Sequence, residues 1–344
     1  MGFLHAKKIK DNDGLIAGCF CAFAPRELLA AAGFTTVNIC NAAKEHELAA
    51  IADQIPRGIC SAVKATYGLA LADRCPYIHF SDILIGEDIC SGRLQIYHLL
   101  KKLKDVYIIH LPQGSNADTE MEAELRKLAS FLTDRFNCRI DDQALREQII
   151  KSNQQTQLQN TLVMLCRANP PRLGGYNLAK LLDGAEFIFD HQDKLQKLNS
   201  VIDQASVAPN SSGKRVIISG CGLNGFIDKI IKPVEDLGAH IVAFDNCRWG
   251  LSPLCDENIA QTNPWQALAK KYNSIHCLQR QNDSIAKLIA DTNAEALINV
   301  GLSCCSVCQI AYDHQQIPIL NISTNYTDND KDEIKDKLVA LLAN

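Results

Sequence analysis

Cysteine side chains at regular spacing are the residues of this sequence with the clearest chemical potential. Five lie within the first ninety residues, separated by 14 to 19 other residues, and three more fall close together further on: Cys21, Cys40, Cys60, Cys75, Cys90, Cys304, Cys305 and Cys308. These gaps exceed the roughly two to four residues between paired zinc ligands, but they match the distance between the ends of successive structural elements. The spacing predicts that separate elements deliver thiols to one metal-cluster site.

Composition excludes several other classes of protein. No apolar leader follows Met1, so we expect a cytoplasmic protein with reduced cysteines and not a secreted disulfide scaffold. A net charge of -4 predicts no general attraction to nucleic acid or anionic membranes. No apolar run approaches the roughly 20 residues of a membrane-spanning helix. The hydrophobic fraction of 47% is sufficient for a large core.

Apolar runs alternate with amphipathic stretches along the chain, which is typical of α/β proteins with parallel sheets. Strands are predicted at 14–20, 35–40, 78–85, 106–110, 215–219, 240–245 and 296–301, and a helix at 226–237. The stretch 117–198 is mostly helical in pattern, and the polar, turn-rich stretch 208–213 is typical of a linker. We therefore predict an α/β fold with two Rossmann-like domains: an N-terminal cluster-binding domain (1–115), a helical connecting region and linker (116–212) and a C-terminal Rossmann-like domain (213–344).

A glycine-rich turn in the second domain gives an alternative interpretation. Gly220-Cys-Gly-Leu-Asn-Gly225 lies between a predicted strand and a predicted helix, and Asp245 follows twenty residues later. This order is typical of dinucleotide sites, where the glycines admit a pyrophosphate and the acid accepts a ribose hydroxyl. Pro233 departs from the pattern because it removes a backbone donor from the helix. Binding of NAD therefore stays open as an alternative.

Longer segments carry a more specific signal. They are 21–40, 55–68, 82–92, 97–112, 218–222, 238–250 and 296–305. In this order they resemble motifs of the 2-hydroxyacyl-CoA dehydratase superfamily (2-hydroxyglutaryl-CoA dehydratase D-component-like), and the resemblance spans essentially the whole chain. The extra cysteines of the N-terminal segments are most similar to the branch of double-cubane cluster proteins.

The resemblance implies a set of metal ligands. Three thiols shared by the superfamily would hold one [4Fe-4S] cluster, and they correspond to Cys60, Cys90 and Cys305, with Cys304 and Cys308 as alternatives to the last. In the double-cubane branch six cysteines hold two sulfide-bridged cubanes, a double-cubane [8Fe-9S] cluster. The additional three here would be Cys21, Cys40 and Cys75, with Cys19 as an alternative to Cys21.

The resemblance also implies an activity. We expect an iron-sulfur reductase of anaerobic metabolism, a homodimer that accepts low-potential electrons from an ATP-hydrolysing iron-sulfur activator protein and reduces a small-molecule substrate. Two alternatives stay open: a [4Fe-4S] subunit of a 2-hydroxyacyl-CoA dehydratase, and a non-redox scaffold that has kept the fold.

A few further residues complete the candidate site. Glu87, three residues before Cys90, could act as a catalytic proton carrier or could serve only as a hydrogen-bonding group. Cys221 and Cys247 fall at predicted strand ends and could face the cluster. Cysteines in apolar or helical contexts are expected in the core, namely Cys138, Cys166 and Cys277.

Overall fold

The protein contains two parallel sheets with helices around them, so the predicted fold class is confirmed. The computed structural model describes residues 2–39, 59–205, 212–220, 222–278, 284–303, 305, 312 and 316–343. The first sheet and its helices comprise α1 (Gly2–Asp11), β1 (Leu15–Cys19), α2 (Arg26–Ala31), β2 (Phe34–Asn38), α3 (Ser61–Leu71), α4 (Pro76–Phe80), β3 (Ile83–Glu87), α5 (Ser91–Leu100) and β4 (Asp105–Ile109).

A helical region and a second sheet follow. The helices are α6 (Ala117–Phe136), α7 (Asp142–Arg167), α8 (Gly175–Ala185) and α9 (His191–Ala205). The second unit comprises β5 (Arg215–Gly220), a 3-10 turn (Leu223–Phe226), a π-helical turn (Ile227–Ile231), α10 (Lys232–Asp236), β6 (His240–Asp245), α11 (Glu257–Thr262), α12 (Pro264–Asn273), α13 (Ser284–Thr292), β7 (Ala296–Leu302), β8 (Ile319–Thr324) and α14 (Lys331–Leu342).

Both sheets have the same strand order. The first runs β2-β1-β3-β4 and the second β6-β5-β7-β8, with every pair parallel. In each sheet, the second strand in the chain therefore lies on one side of the first strand, and the third strand lies on its other side. In such sheets ligands bind outside the carboxyl ends of the strands, at the point where the order reverses. These points lie between β1 and β3 in one sheet and between β5 and β7 in the other.

The central strands are apolar because helices cover both of their faces. All residues of β3, β5 and β7 are buried, which is the pattern expected where a parallel sheet is covered on both sides. The edge strands β4 and β8 differ, since each mixes buried residues with more exposed ones, whereas the edge strand β6 is buried except at its first residue. The predicted strands at 215–219, 240–245 and 296–301 are confirmed by this arrangement.

Two predicted segments differ from the structure, and proline explains both. The predicted strand 78–85 begins as α4, because Pro76 sits in the first turn of that helix, and β3 starts only at Ile83. The predicted helix 226–237 is instead a 3-10 turn, a π-helical turn and the short α10, which carries Pro233 in its first turn. Strand β8 and helix α1 were not predicted.

Helix α7 is the long element shared by both units. Its 26 residues span about 39 Å. The side-chain amide of Asn153 exchanges two hydrogen bonds with the backbone of Cys255, and that of Asn160 does the same with Ser252. Asn153 and Asn160 are seven helical residues apart, and Ser252 and Cys255 are three extended residues apart. Both separations are roughly 10 Å, so each amide lies beside one backbone partner in the extended stretch. The helix thus fixes the path of the chain after β6.

That path crosses from the second unit into the first. Helix α12 packs on α6 and α7, and Trp265, Leu268 and Tyr272 belong to the same buried cluster as Leu28 and Met121 near the first sheet. The sequence prediction assigned all of 213–344 to the C-terminal domain. Within that range, α11 and α12 pack into the buried cluster beside the first sheet, so the chain links the two units three times.

A buried ion pair fastens α12 to the first unit. Glu27 of α2 accepts hydrogen bonds from Ser152 at 2.6 Å, from Tyr272 at 2.5 Å and from Lys271. Only 2% of Glu27 is exposed. Burial alone would raise the pKa of Glu27, but the Lys271 ammonium and the hydrogen bonds from Ser152 and Tyr272 outweigh it and lower that pKa to about 2. The carboxylate is therefore charged and fully partnered.

None of the described helices is both long and apolar enough to cross a membrane.

We predict that Lys271→Met destabilises the protein strongly. The substitution leaves the Glu27 carboxylate buried without its cation, which costs about 3–5 kcal/mol of unfolding free energy in comparable pairs. Denaturant unfolding measures this cost. The matched control is Lys337→Met, since the Lys337–Glu333 pair is exposed and a pair of that kind contributes less than about 1 kcal/mol. Equal losses of unfolding free energy in Lys271→Met and Lys337→Met would contradict the role of Glu27–Lys271 as a buried, stabilising ion pair.

The low pKa of Glu27 also predicts how stability varies with pH. Its folded pKa, about 2, lies below the ordinary value of 4.5, so the stabilisation is fully present above pH 4.5 and disappears as the pH falls towards 2. The difference in unfolding free energy between the wild type and Glu27→Gln should therefore shrink by roughly 3 kcal/mol across that window. A difference that stays constant from pH 5 to pH 2 would refute this.

Candidate metal centre

A cavity of about 270 Å³ lies between the carboxyl ends of the two sheets. Both units contribute cysteines to its wall, and helices α2, α7 and α12 close it from one side. The cysteines that line it are Cys21, Cys60, Cys90, Cys247, Cys277 and Cys305. The two points of strand-order reversal therefore face one space, and most of the thiols predicted from the sequence reach it.

Helix starts position two of these thiols. Cys60 is the residue immediately before α3, and Cys90 holds the same place before α5. Both are buried, at 8% and 9% exposure. Each of these cysteines thus lies at the start of a helix and on the wall of the cavity.

The second unit brings a third thiol to this pair. Cys305 follows β7 and is hydrogen-bonded to the thiol of Cys60, while Cys90 is close enough to act electrostatically on Cys60. The contact with Cys305, followed by burial, raises the pKa of the Cys60 thiol. Two neighbouring thiols do not readily lose their protons together, because the two negative charges would repel each other. A cation between them removes that repulsion. The three predicted ligands of the shared cluster are thus found side by side.

A second thiol pair crosses the boundary between the units. Cys21 follows β1, Cys247 follows β6, and a hydrogen bond between these two half-buried thiols lowers the pKa of Cys21. Arg93 lies nearby and acts in the same direction, although burial and the Glu87 carboxylate oppose it. The sequence analysis predicted Cys21 as a ligand and left Cys247 as a residue that could face the cluster.

Cys75, which the sequence analysis predicted to join the other thiols, is not among the residues that line the cavity. Cys60 starts α3 at the cavity, and the 11 residues of that helix run about 16 Å away from it. Cys75 lies beyond the far end of α3, where it precedes α4 and the amino end of β3, and it is 5% exposed in the apolar core. Its position suits a packed core residue.

The alternative ligand Cys19 also faces away. Its thiol is 1% exposed and contacts the carbonyl of Ala17, and burial raises its pKa to about 11. The predicted ligand Cys40, the alternatives Cys304 and Cys308, and the strand-end residue Cys221 lie outside the described residues. Cys138 and Cys166 are buried as predicted, whereas Cys277 is buried but also reaches the cavity wall.

Glu87 does not line the cavity. Its carboxylate is 1% exposed and accepts hydrogen bonds from Arg93 at 2.7 Å and from the Tyr97 hydroxyl at 3.0 Å. Arg93 itself lies on the cavity wall, near Cys21. The Glu87 carboxylate therefore holds the Arg93 guanidinium at the cavity wall but does not itself reach the cavity.

Cationic side chains dominate the charged part of the wall. The lysine and arginine residues there are Arg26, Arg93, Arg248 and Lys271, against the acids Glu27 and Glu186. Each arginine is fixed by a carboxylate, as Arg26 is by Glu186 at 3.2 Å and Arg248 by Asp183 at 2.5 Å. The sequence analysis missed Arg26 and Arg248 because their partners lie far away in the chain. An excess of positive charge suits a space that collects thiolates.

The glycine-rich turn after β5 lines the cavity with Gly220, Gly222, Leu223 and Asn224, and Tyr326 packs against it. An added Cβ at Gly225 would come within 2.1 Å of the Tyr326 ring, and the Tyr326 hydroxyl donates to the carbonyl of Gly222. No regular α-helix starts at this turn. Asp245 is 3% exposed and bonds to Ser219, His276 and Tyr312. The acid is thus committed to internal hydrogen bonds, which argues against the NAD alternative.

The donor set fits an iron-sulfur cluster better than a single metal ion. Among the residues that the structure describes, no three histidine, cysteine or acidic side chains are grouped to hold one ion. The irons of a cubane occupy separate corners, so each thiolate binds its own iron and the sulfurs need not meet at one point. Soft thiolates beside apolar walls, with the acids already paired to cations, are the ligands that such clusters take.

Comparison with known proteins identifies the family of this chain. The profile of the family described as "2-hydroxyglutaryl-CoA dehydratase, D-component" matches residues 21–343. The chain is 26% identical over 363 aligned positions to the "Putative dehydratase subunit YjiM" of Escherichia coli (strain K12), an alignment that covers 99% of this chain and 94% of the relative. Because the profile covers nearly all of the sequence, this chain belongs to the 2-hydroxyglutaryl-CoA dehydratase D-component family.

Proposed function

We propose that this protein is an iron-sulfur enzyme in which Cys60, Cys90 and Cys305 bind a cubane cluster, and that it acts as a reductase of the double-cubane type. The observation that carries the proposal is the meeting of these three thiols, from two units, at the carboxyl ends of two parallel sheets. The surrounding wall carries four cationic side chains against two acids, which suits a cluster with several negatively charged ligands.

When bound, such a cluster supplies single electrons at low potential. The chain itself does three things for that chemistry. Its two helix starts hold thiolates, its buried side chains around Cys60 limit the access of water, and Arg93 places positive charge near Cys21. The helix starts and Arg93 lower the cost of keeping negative charge at the cavity, whereas the exclusion of water raises that cost.

An electron donor and a substrate complete the proposal. The family designation as a D-component indicates that its members work with another component, and we propose an ATP-hydrolysing iron-sulfur activator as the partner of a homodimer. We propose a small-molecule substrate that meets the metal centre at this cavity. An ATP-dependent change in the visible spectrum on addition of the activator, under strictly anaerobic conditions, tests the donor.

A second candidate is the [4Fe-4S] subunit of a 2-hydroxyacyl-CoA dehydratase. The family name and the printed name of the relative favour it. It requires one trio of thiols and a different partner chain. The iron content of the protein separates the two candidates.

We predict about eight irons per chain after anaerobic reconstitution, against about four for the dehydratase candidate, because each cubane contains four. Cys60→Ser and Cys90→Ser should each lower iron and acid-labile sulfide by half or more, since each removes a ligand. Cys138→Ser is the matched control, because Cys138 is buried outside the cavity wall and its loss should leave the content unchanged. A wild-type chain without iron would overturn both candidates.

We propose that Glu87 acts by holding Arg93, and not as the proton carrier that the sequence suggested. Glu87→Gln should then lower the unfolding free energy by about 2–3 kcal/mol, because Arg93 loses a buried anionic partner. The pH profile of the activator-dependent reaction should keep its shape. Asp105→Asn, which breaks an exposed ion pair with Arg135, should cost less than about 1 kcal/mol. A shifted pH profile in Glu87→Gln would restore the role of proton carrier.

A further inference from the structure

We infer that Cys247, and not Cys75, is a ligand of the second cubane, beside Cys21. The inference rests on the proposed double-cubane function and changes its ligand set. The sequence resemblance indicated Cys75 for this role, whereas Cys247, within the matching segment 238–250, was predicted only as a residue that could face the cluster.

The first argument is contact. Cys21 and Cys247 both line the cavity, one from each unit, and their thiols are close enough for Cys247 to lower the pKa of Cys21. Both are only half-buried, so a cluster in the cavity can reach them without displacing core side chains. Cys75, by contrast, lies beyond the far end of α3 and is 5% exposed in the core.

The second argument is the repeated strand order. Cys90 is the third residue after β3, and Cys305 is the third residue after β7, the corresponding strand of the second sheet. Cys247 is the second residue after β6. The strand that corresponds to β6 in the first sheet is β2, and the predicted ligand Cys40 is the second residue after it in the sequence. Equivalent strands thus carry cysteines at equivalent offsets.

The third argument is rigidity. The loop that carries Cys247 is closed by Asn246, whose side-chain oxygen accepts hydrogen bonds from the backbone N–H groups of Arg248 at 2.9 Å and Trp249 at 2.7 Å. Trp249 is fully buried and packs against Phe244. A ligand held on such a closed loop loses little conformational freedom when it binds a metal centre.

Charge supports the same assignment. Arg93 lies near Cys21, and Arg248, the residue after Cys247, is also on the cavity wall. Two fixed guanidinium groups thus flank this thiol pair. They offset the negative charge that two thiolates would bring to a second cubane.

The test is the iron and sulfide content of two alanine variants after anaerobic reconstitution of the full chain. Cys247→Ala should fall from about eight to about four irons, the content of one cubane, while Cys75→Ala should keep about eight. Circular dichroism of each variant confirms that it is folded. An unchanged content in Cys247→Ala with a halved content in Cys75→Ala overturns the inference.

The outcomes separate this inference from the function on which it rests. A wild-type content near four irons overturns the double-cubane proposal and this inference together. A wild-type content near eight with no loss in Cys247→Ala overturns this inference alone.

A second measurement uses the metal-free chain and does not depend on any cluster. Diamide oxidises two adjacent thiols to a disulfide: the sulfurs give up two protons and two electrons, and the diazene is reduced to the hydrazine. Brief treatment should produce a Cys21–Cys247 disulfide, identified by peptide mass spectrometry, and Cys75→Ala should form it equally well. Failure to find this disulfide in folded protein would show that the two thiols are not adjacent and would overturn the inference.

Discussion

The Glu27 carboxylate with its cation Lys271 is the interaction on which the arrangement of the two sheets depends. It joins α2 of the first unit to α12, a helix whose sequence follows β6 of the second unit. Burying both charges is costly. The ion pair is therefore stable only while the hydroxyls of Ser152 and Tyr272 also donate hydrogen bonds to the Glu27 carboxylate oxygens. This contact, together with α7, ties the chain that follows β6 to the first unit, and both Glu27 and Lys271 line the cavity between the sheets.

The cavity also shows why two similar sheets are useful. A parallel sheet offers the ends of its strands and the starts of its helices at one edge, so each unit presents thiols and helix termini to the same space. One sheet alone brings Cys60 and Cys90 together but lacks Cys305. The contact between Cys60 and Cys305 therefore makes the thiol site a property of the pair of units and not of either one.

Local patterns in the sequence predicted the strands well and the long-range contacts poorly. Apolar runs such as Ala296–Leu302 are buried on both faces, and hydrophobic periodicity reports that directly. Regular spacing also suggested Cys75, since the interval from Cys60 resembles the others. Spacing counts residues and ignores direction, and an 11-residue helix carries the chain to the opposite edge of the sheet. The packing of α12 on α6, and the contact of Cys247 with Cys21, depend on tertiary structure that no local pattern records.

The distance along the chain between the thiols has a consequence for biosynthesis. Cys60 and Cys90 leave the ribosome more than two hundred residues before Cys305, a delay of at least on the order of ten seconds at usual rates of roughly 5–20 residues per second. During that interval the first sheet also lacks α12, which completes its core. In the proposed arrangement the metal centre can form only after the second sheet has been made, so its insertion is a late step in the maturation of the protein.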